Sequence, residues 1–100
     1  MDAKYVRDRI TQLRILKGVS EYQMSYDLGH SKSYINNIIS GKSLPSLAEF
    51  LAICDYFGIH PAEFFDQNNR NPELLQKAID GLKNLEDADI LLILSYINRL

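Results

Sequence analysis

A chain of 100 residues, of which 46% are hydrophobic and 24% are charged, has the composition of one ordinary folded domain. This balance excludes a disordered segment and a collagen-like repeat, and a single cysteine, Cys54, excludes a scaffold held by internal disulfides. The net charge of -2 is unusual for a nucleic-acid-binding protein, because such proteins commonly carry a basic charge.

The cellular compartment can be predicted from the same features. A lone cysteine fits a reducing environment, and the N-terminal residues lack the charged and then apolar pattern of a secretion signal. The longest apolar run, Ile90 to Leu94, is far shorter than the roughly 20 residues that span a membrane. We therefore expect a cytoplasmic protein that does not enter membranes.

The charges are unevenly distributed along the chain. Between Lys4 and Lys42 there are seven basic residues and three acidic ones, a net charge of +4, so the remaining residues carry -6. This polarity favours contact of the first half with a polyanion, although it can also arise by chance.

The first two predicted helices are bounded by capping residues. Helix one begins near residue 3, ends at Gly18, and has an apolar face with helical spacing, formed by Val6, Ile10 and Leu13. Ser20 and Gln23 have the spacing of a capping box, in which each side chain bonds the other residue's backbone amide. Helix two is therefore expected to run to about Leu28.

A glycine turn connects helix two to a third predicted helix. Gly29 can adopt the left-handed conformation of a sharp turn, and Ser31 is the expected N-cap of helix three. This helix is predicted to end near Ser40, before Gly41, with Ile35 and Ile38 on its inner face.

The fourth and fifth helices follow a second serine cap. Ser46 and Glu49 form the predicted capping box of helix four, which ends at Gly58. Its predicted inner face contains Leu47, Phe50, Leu51, Cys54 and Phe57. A short fifth helix is expected over Pro61 to Phe65, since proline is tolerated at the first helical position.

Two further helices are predicted after a polar link at residues 66–71. Pro72 opens helix six, whose apolar side contains Leu74, Leu75, Ala78, Ile79 and Leu82. Helix seven begins near Glu86 or Asp87 and continues to the end of the sequence. The sequence therefore predicts an all-α protein with a five-helix unit over 1–66 and a two-helix extension over 67–100, packed on that unit and forming a dimer.

Residues 20 to 40 have the pattern of a helix-turn-helix, two short helices joined by a turn that contains glycine. A larger set of residues resembles the phage-repressor-like helix-turn-helix family, called the Xre or Cro type, over about residues 5–65. The resemblance rests on Ile10, Leu13, Arg14, Val19-Ser20, Leu28-Gly29, Ser31 to Ile35, Ile38, Ser40-Gly41-Lys42, Leu44 to Leu47, Phe57-Gly58-Ile59 and Glu63-Phe64-Phe65. It implies a five-helix lambda-repressor-like fold; from the local pattern alone, a generic helical hairpin remains an alternative.

The resemblance also implies how DNA would be bound. In this family the third helix enters the major groove, where each base pair presents a distinct pattern of donors and acceptors. Position by position, this assigns base reading to Lys32, Ser33 and Asn37. Contacts to the phosphate backbone, or packing beside it, are assigned to Arg14, Glu21, Ser31, Tyr34, Asn36, Ser40, Gly41 and Lys42.

Three departures from the family pattern involve four positions. Glu21 stands where glutamine often faces a phosphate, and we expect its carboxylate to turn toward solvent or a base. His30 occupies a turn position that is usually apolar, where it is expected to pack; a pH-sensitive role is the alternative. Asn37 and Ile39 replace residues that are often charged, which predicts modest affinity for a single half-site.

The last predicted helix is apolar on more than one face. A helix that packs only on its own domain uses about a third to a half of its circumference, so a second apolar face needs another partner. We expect a homodimer, with an interface formed by Ile90, Ile93, Leu94, Ile97 and Leu100. The alternative is that this helix lies in a groove of its own domain.

The expected function is that of a sequence-specific transcriptional regulator of double-stranded DNA, a repressor, that reads DNA with helix 32–40. The alternative is a protein-interaction module of the same fold, antitoxin-like or phage-derived, with weak or no DNA binding. Catalysis is not expected, because His30, Cys54 and His60 lie far apart in sequence, and neither a metal nor a cofactor is expected. A small-molecule ligand is not expected either, because the residues after the five-helix unit are too few for an effector domain.

Overall fold

The computed structural model describes residues 2–99, and within them it contains seven helices and no strand. The helices are α1 (Ala3–Lys17), α2 (Glu21–Asp27), α3 (Tyr34–Ile39), α4 (Leu47–Phe57), α5 (Pro61–Phe64), α6 (Pro72–Leu82) and α7 (Asp87–Ile97). The prediction of an all-α protein with five helices and two further C-terminal helices is confirmed.

The caps of α4 form as predicted. The Ser46 amide donates to Glu49 Oε1 at 2.7 Å, and the Glu49 amide donates to Ser46 Oγ at 3.1 Å. Gly58 ends the helix, as Gly18 ends α1. Residues that satisfy the unpaired backbone groups at helix ends are therefore reliable signals of the helix bounds in this chain.

Two other caps differ from the prediction: the Ser20 capping box forms only in part, and the Ser31 cap does not form. Ser20 Oγ accepts from the Gln23 amide, but the Gln23 side chain donates to Asp27 at 2.6 Å instead of reaching back. Ser31 does not cap α3; its carbonyl accepts from the Tyr34 amide, and Ser33 precedes the first helical residue. Helix α3 thus begins later than predicted and has six residues.

A single apolar core joins the first five helices. Helix α1 packs against α3 and α4, α2 packs against α3, and α4 packs against α5. The core contains Ile10, Leu13, Met24, Ile35, Ile38, Ile53, Cys54, Phe57, Ile59 and Phe64. The predicted inner face of α4 is partly wrong, because Leu47 is 75% exposed and Leu51 is 45% exposed, whereas Ile53 is buried.

A buried arginine connects α1 to the end of α5 and to the link that follows. Arg9 is 3% exposed, and its Nε donates to the carbonyl of Phe64 at 2.8 Å. Its Nη2 donates to the carbonyls of Glu63 and Asn69, both at 2.8 Å, and its Nη1 to Gln12 Oε1 at 2.7 Å. Arg9 therefore holds backbone that is 54 or more residues away in the chain.

The two C-terminal helices contribute almost nothing to this core. The buried residue of α6 is Pro72, and no described residue of α7 is buried. The molecule measures 51 × 26 × 23 Å, which is elongated for a chain of this length. Among residues 2–99, no helix is long and apolar enough to cross a membrane.

Candidate nucleic-acid interface

Helices α2 and α3 are joined by a tight turn over residues 28–33. Gly29 has a φ of +76°, as the sequence predicts, and its amide donates to the carbonyl of Tyr26 at 2.9 Å. The His30 amide donates to the carbonyl of Ser25 at 3.0 Å. A side chain at position 29 would strain this backbone, so glycine stabilises the turn that sets α3 against α2.

A buried hydroxyl fixes the contact between these two helices. Ser25 has no exposed surface, and its Oγ donates to the carbonyl of Glu21 at 2.8 Å. The same oxygen accepts from the amide of Ile35 at 3.1 Å. The first amides of a helix lack partners within the helix, so Ser25 supplies one from α2. The pattern of residues 20 to 40 did not show that this hydroxyl joins the helices.

The residues assigned to base reading lie on the side of α3 that is opposite the core. Ile35 and Ile38 are buried, whereas Lys32 and Ser33 are exposed in the turn before the helix. Asn36 is exposed and Asn37 is half-buried on the helix itself. One continuous edge therefore presents an ammonium, a hydroxyl and two amide side chains, which are groups that can bond base edges.

The chain folds back beside Asn37 immediately after α3. The Asn37 carbonyl accepts from the amides of Lys42 at 2.9 Å and Ser43 at 3.1 Å. Gly41 has a φ of +91°, which makes this reversal possible. The reversal brings Ser40, Gly41 and Lys42, all exposed, to the end of the same edge.

Arg7 contacts the C-terminal end of α3, although the sequence pattern did not identify it as a residue of this site. Its Nε donates to the carbonyl of Ile38 at 3.0 Å, and its guanidinium would lie 3.9 Å from a Cβ placed on Gly41. Its helical spacing could have indicated this contact. Arg7 precedes the core residue Ile10 by three positions and therefore lies near the inner side of α1.

Arg14 contacts the chain just before α2, and Glu21 is the first residue of that helix. The Nη1 of Arg14 donates to the carbonyl of Val19 at 2.8 Å, just before the cap residue Ser20. Glu21 is half-buried in the first turn, where a carboxylate is favoured by the helix dipole.

An aromatic stack joins the turn to α3 and α4. The His30 ring lies 3.8 Å from the Tyr34 ring, nearly parallel to it, and His30 Nε2 is 3.8 Å from Glu49 Oε2. Burial, and then the charge of Glu49, raises the pKa of Tyr34 to about 12, so its hydroxyl stays protonated. Hydrogen bonds from Ser46 lower the pKa of Glu49. Tyr34 thus serves here in packing, and Ser31 is exposed beside it.

The positive charge that the sequence places in residues 4–42 is only partly available on this surface. Arg9 is buried, Lys4 pairs with Asp8, and Lys17 lies over the Tyr56 ring at 5.0 Å. Arg7 and Arg14 each donate to a backbone carbonyl. Among the basic residues from 4 to 42, Lys32 and Lys42 are the two whose side chains make no hydrogen bond, ion pair or aromatic contact described within residues 2–99.

The residues assigned to a dimer interface lie on one face of α7. Ile90 and Ile93 are half-buried, Leu94 is 48% exposed and Ile97 is 52% exposed. Leu100 lies outside the described residues. The other side of the helix is also apolar and exposed, at Leu91, Leu92 and Tyr96.

Comparison with known protein families gives a match over residues 10–64 to a family described as helix-turn-helix (HTH_3). Neither curated proteins nor solved structures give a significant match. The matched region includes the whole of α2, the turn and α3, together with α4 and α5. In the part of the chain that the structure describes, no cluster of side chains is arranged to hold a metal ion. The chain belongs to the helix-turn-helix family of the Xre and lambda-repressor type, and it is a DNA-binding regulator of that family.

Proposed function

We propose that this protein is a sequence-specific repressor that binds double-stranded DNA in the cytoplasm as a homodimer. The observation that carries the proposal is the polar edge at α3, where Lys32 and Ser33 are exposed just before the helix and Asn37 is half-buried on it, on the side away from the buried Ile35 and Ile38. In this proposal those three residues bond base edges in the major groove. The resemblance to phage repressors supports the repressor role.

Contacts to phosphates would flank this edge on both sides. Lys42 lies at one end, after the turn at Gly41, and Arg14 with the first turn of α2 lies at the other. Glu21, Ser31, Asn36 and Ser40 complete this proposed set, with Tyr34 as the packing residue that holds the turn. Such contacts position the protein on DNA without selecting a sequence.

The proposed dimer compensates for the few available cations. With Lys32 and Lys42 as the basic residues of each polar edge, a single protomer can neutralise few phosphates, whereas two linked protomers bind with greater combined strength. The exposed apolar surface of α7 supports this arrangement. In the proposal, residues 1–66 bind DNA and residues 67–100 form the dimer.

The same shortage of cations favours a second candidate, a protein-interaction module that has kept the fold. The charge of Arg9 is buried, and Glu21 stands close to the proposed phosphate path.

The two candidates can be separated by selecting sites from random DNA and then measuring affinity at several salt concentrations. A repressor enriches a two-part site, and log affinity falls with log salt by about 0.9 for each phosphate contacted. Absence of both an enriched site and a salt dependence would establish the interaction module instead.

The roles of individual residues can be tested on the selected site. Asn37→Ala is expected to relax preference at one base-pair position in each half-site, at a cost of about 1–3 kcal/mol for the preferred base. Lys42→Ala is expected to weaken all sequences alike and to lower the salt slope by about 1 per protomer. Binding to a set of single-base variants at two salt concentrations distinguishes the roles. The same loss of preference in both variants would contradict them.

A further inference from the structure

A groove separates the C-terminal end of α1 from the N-terminal half of α6. It is lined by Leu16, Lys17, Asn71, Glu73, Leu74 and Lys77. Leu16 is 50% exposed and Leu74 is 62% exposed, so the apolar walls of the groove face solvent. The rest of the lining is polar or charged, so the groove combines two exposed leucines with a mostly polar surface.

Two lysines give this groove a positive rim. Lys77 makes an exposed pair with Glu73, with 3.5 Å between Nζ and Oε1, and Lys17 lies over the ring of Tyr56. A pair of this exposure is worth well under about 1 kcal/mol, so Lys77 can exchange it for another carboxylate. An occupant that combines an apolar face with negative charge at one end would match the groove.

Helix α7 has both of these properties. No described residue of it is buried, and its first turn contains Asp87 and Asp89, directly after Glu86. With 3.6 residues per turn, Glu86 precedes the face that contains Ile90, Ile93 and Ile97, and Asp87 and Asp89 lie at the two edges of that face. The acidic end and the apolar face thus follow one another along about 16 Å of helix.

We propose that the groove between α1 and α6 receives α7 of a second copy of this chain. The acidic first turn of that helix lies against Lys17 and Lys77, and its apolar face covers Leu16 and Leu74. In a two-fold dimer the contact occurs twice, because each copy offers one groove and one α7. The inference rests on the proposed homodimer and states what covers each α7.

Charge reversal tests this pairing. Lys77→Glu and Asp87→Lys, made separately, are each expected to raise the dimer dissociation constant about tenfold, measured by sedimentation equilibrium. The two changes in one chain restore dimerisation, because every groove then pairs a reversed lysine with a reversed aspartate. Lys83→Glu, an exposed change outside the groove, is the matched control and leaves the constant unchanged.

The possible failures are distinct. Suppose that the unaltered protein dimerises. The groove assignment is then overturned, while the dimer stands, if the double variant has as high a dissociation constant as either single variant, or if the single variants have the same dissociation constant as the control. If the unaltered protein is monomeric at every concentration tested, both the groove and the dimer are overturned. Site selection on DNA tests base reading separately from either result.

Discussion

Replacing Arg9 with methionine is expected to lower the free energy of unfolding by about 3 kcal/mol. Methionine retains most of the buried volume but donates no hydrogen bond, so the carbonyls of Glu63 and Asn69 lose their charged partner. Phe64 retains one donor, the Tyr5 hydroxyl at 2.9 Å. The free energy of unfolding of a small domain is about 5–15 kcal/mol in total, so this loss is a large fraction of its stability. The melting temperature of a domain this size should fall by about 12 °C or more.

Two further variants give this prediction its controls. Lys83→Met likewise replaces a long basic side chain with methionine, but at an exposed position, and should alter stability by less than about 0.5 kcal/mol. Arg9→Lys keeps the positive charge but loses the planar fork that reaches several carbonyls at once, so it should melt between the other two proteins. An Arg9→Met protein that melts together with Lys83→Met would show that these bonds do not stabilise the fold.

The double variant Ile93→Asp, Ile97→Asp is expected to be a folded monomer that binds the two-part DNA site about 100-fold more weakly. Two carboxylates on the apolar face of α7 cannot be buried against another copy without a large desolvation cost. The core does not depend on this face, since no described residue of α7 is buried. Linked binding modules commonly gain about 10² to 10⁴ in affinity, which this variant forfeits.

Three measurements are needed for this variant: mass in solution, helix content by circular dichroism, and affinity for one and for two half-sites. Affinity for one half-site should be unchanged. Ser95→Asp, Asn98→Asp is the matched control, because it adds the same charge at a polar position of the helix and at its C-cap. A dimeric mass for the Ile93 and Ile97 variant, or an equal loss in the control, would contradict an interface on this face.

The helix bounds were largely predictable because short polar residues and glycines determine them locally. Ser46 with Glu49 and the glycines after α1 and α4 act within one turn of the chain. The start of α3 was not predictable in this way. It depends on Ser25 Oγ reaching the Ile35 amide and on the stacking of His30 with Tyr34, and both contacts exist only after the helices have packed.

The inner face of α4 could not be predicted fully because that helix is apolar almost all round. Leu47 and Leu51 have the same helical spacing as the buried residues, but α1 and α5 cover the side that contains Ile53 and Phe57. Spacing identifies an apolar face, whereas the neighbouring helices determine which of two faces is buried.

The position of the candidate site stays a prediction, whereas its electrostatics could not be foreseen from the sequence. Lys32, Ser33 and Asn36 are exposed, and Asn37 is half-buried. The count of positive charges was misleading, because Arg9 lies against carbonyls near residue 64 and Arg7 against the end of α3. Contacts between residues so distant in sequence leave no local pattern, so the charge actually offered to DNA is smaller than the sequence indicates.

The two hydrogen bonds of Ser25 Oγ, to α2 and to α3, affect which mutations this protein can accept during evolution. The Ser25 hydroxyl holds α3 through the Ile35 amide, and buried residues hold its inner face. The side chains of Lys32, Ser33, Asn36 and Asn37 make none of the hydrogen bonds described in residues 2–99. Substitutions at such positions usually change stability by less than about 0.5 kcal/mol. New preferences for DNA sequence can therefore arise by single mutations while the folded frame stays intact.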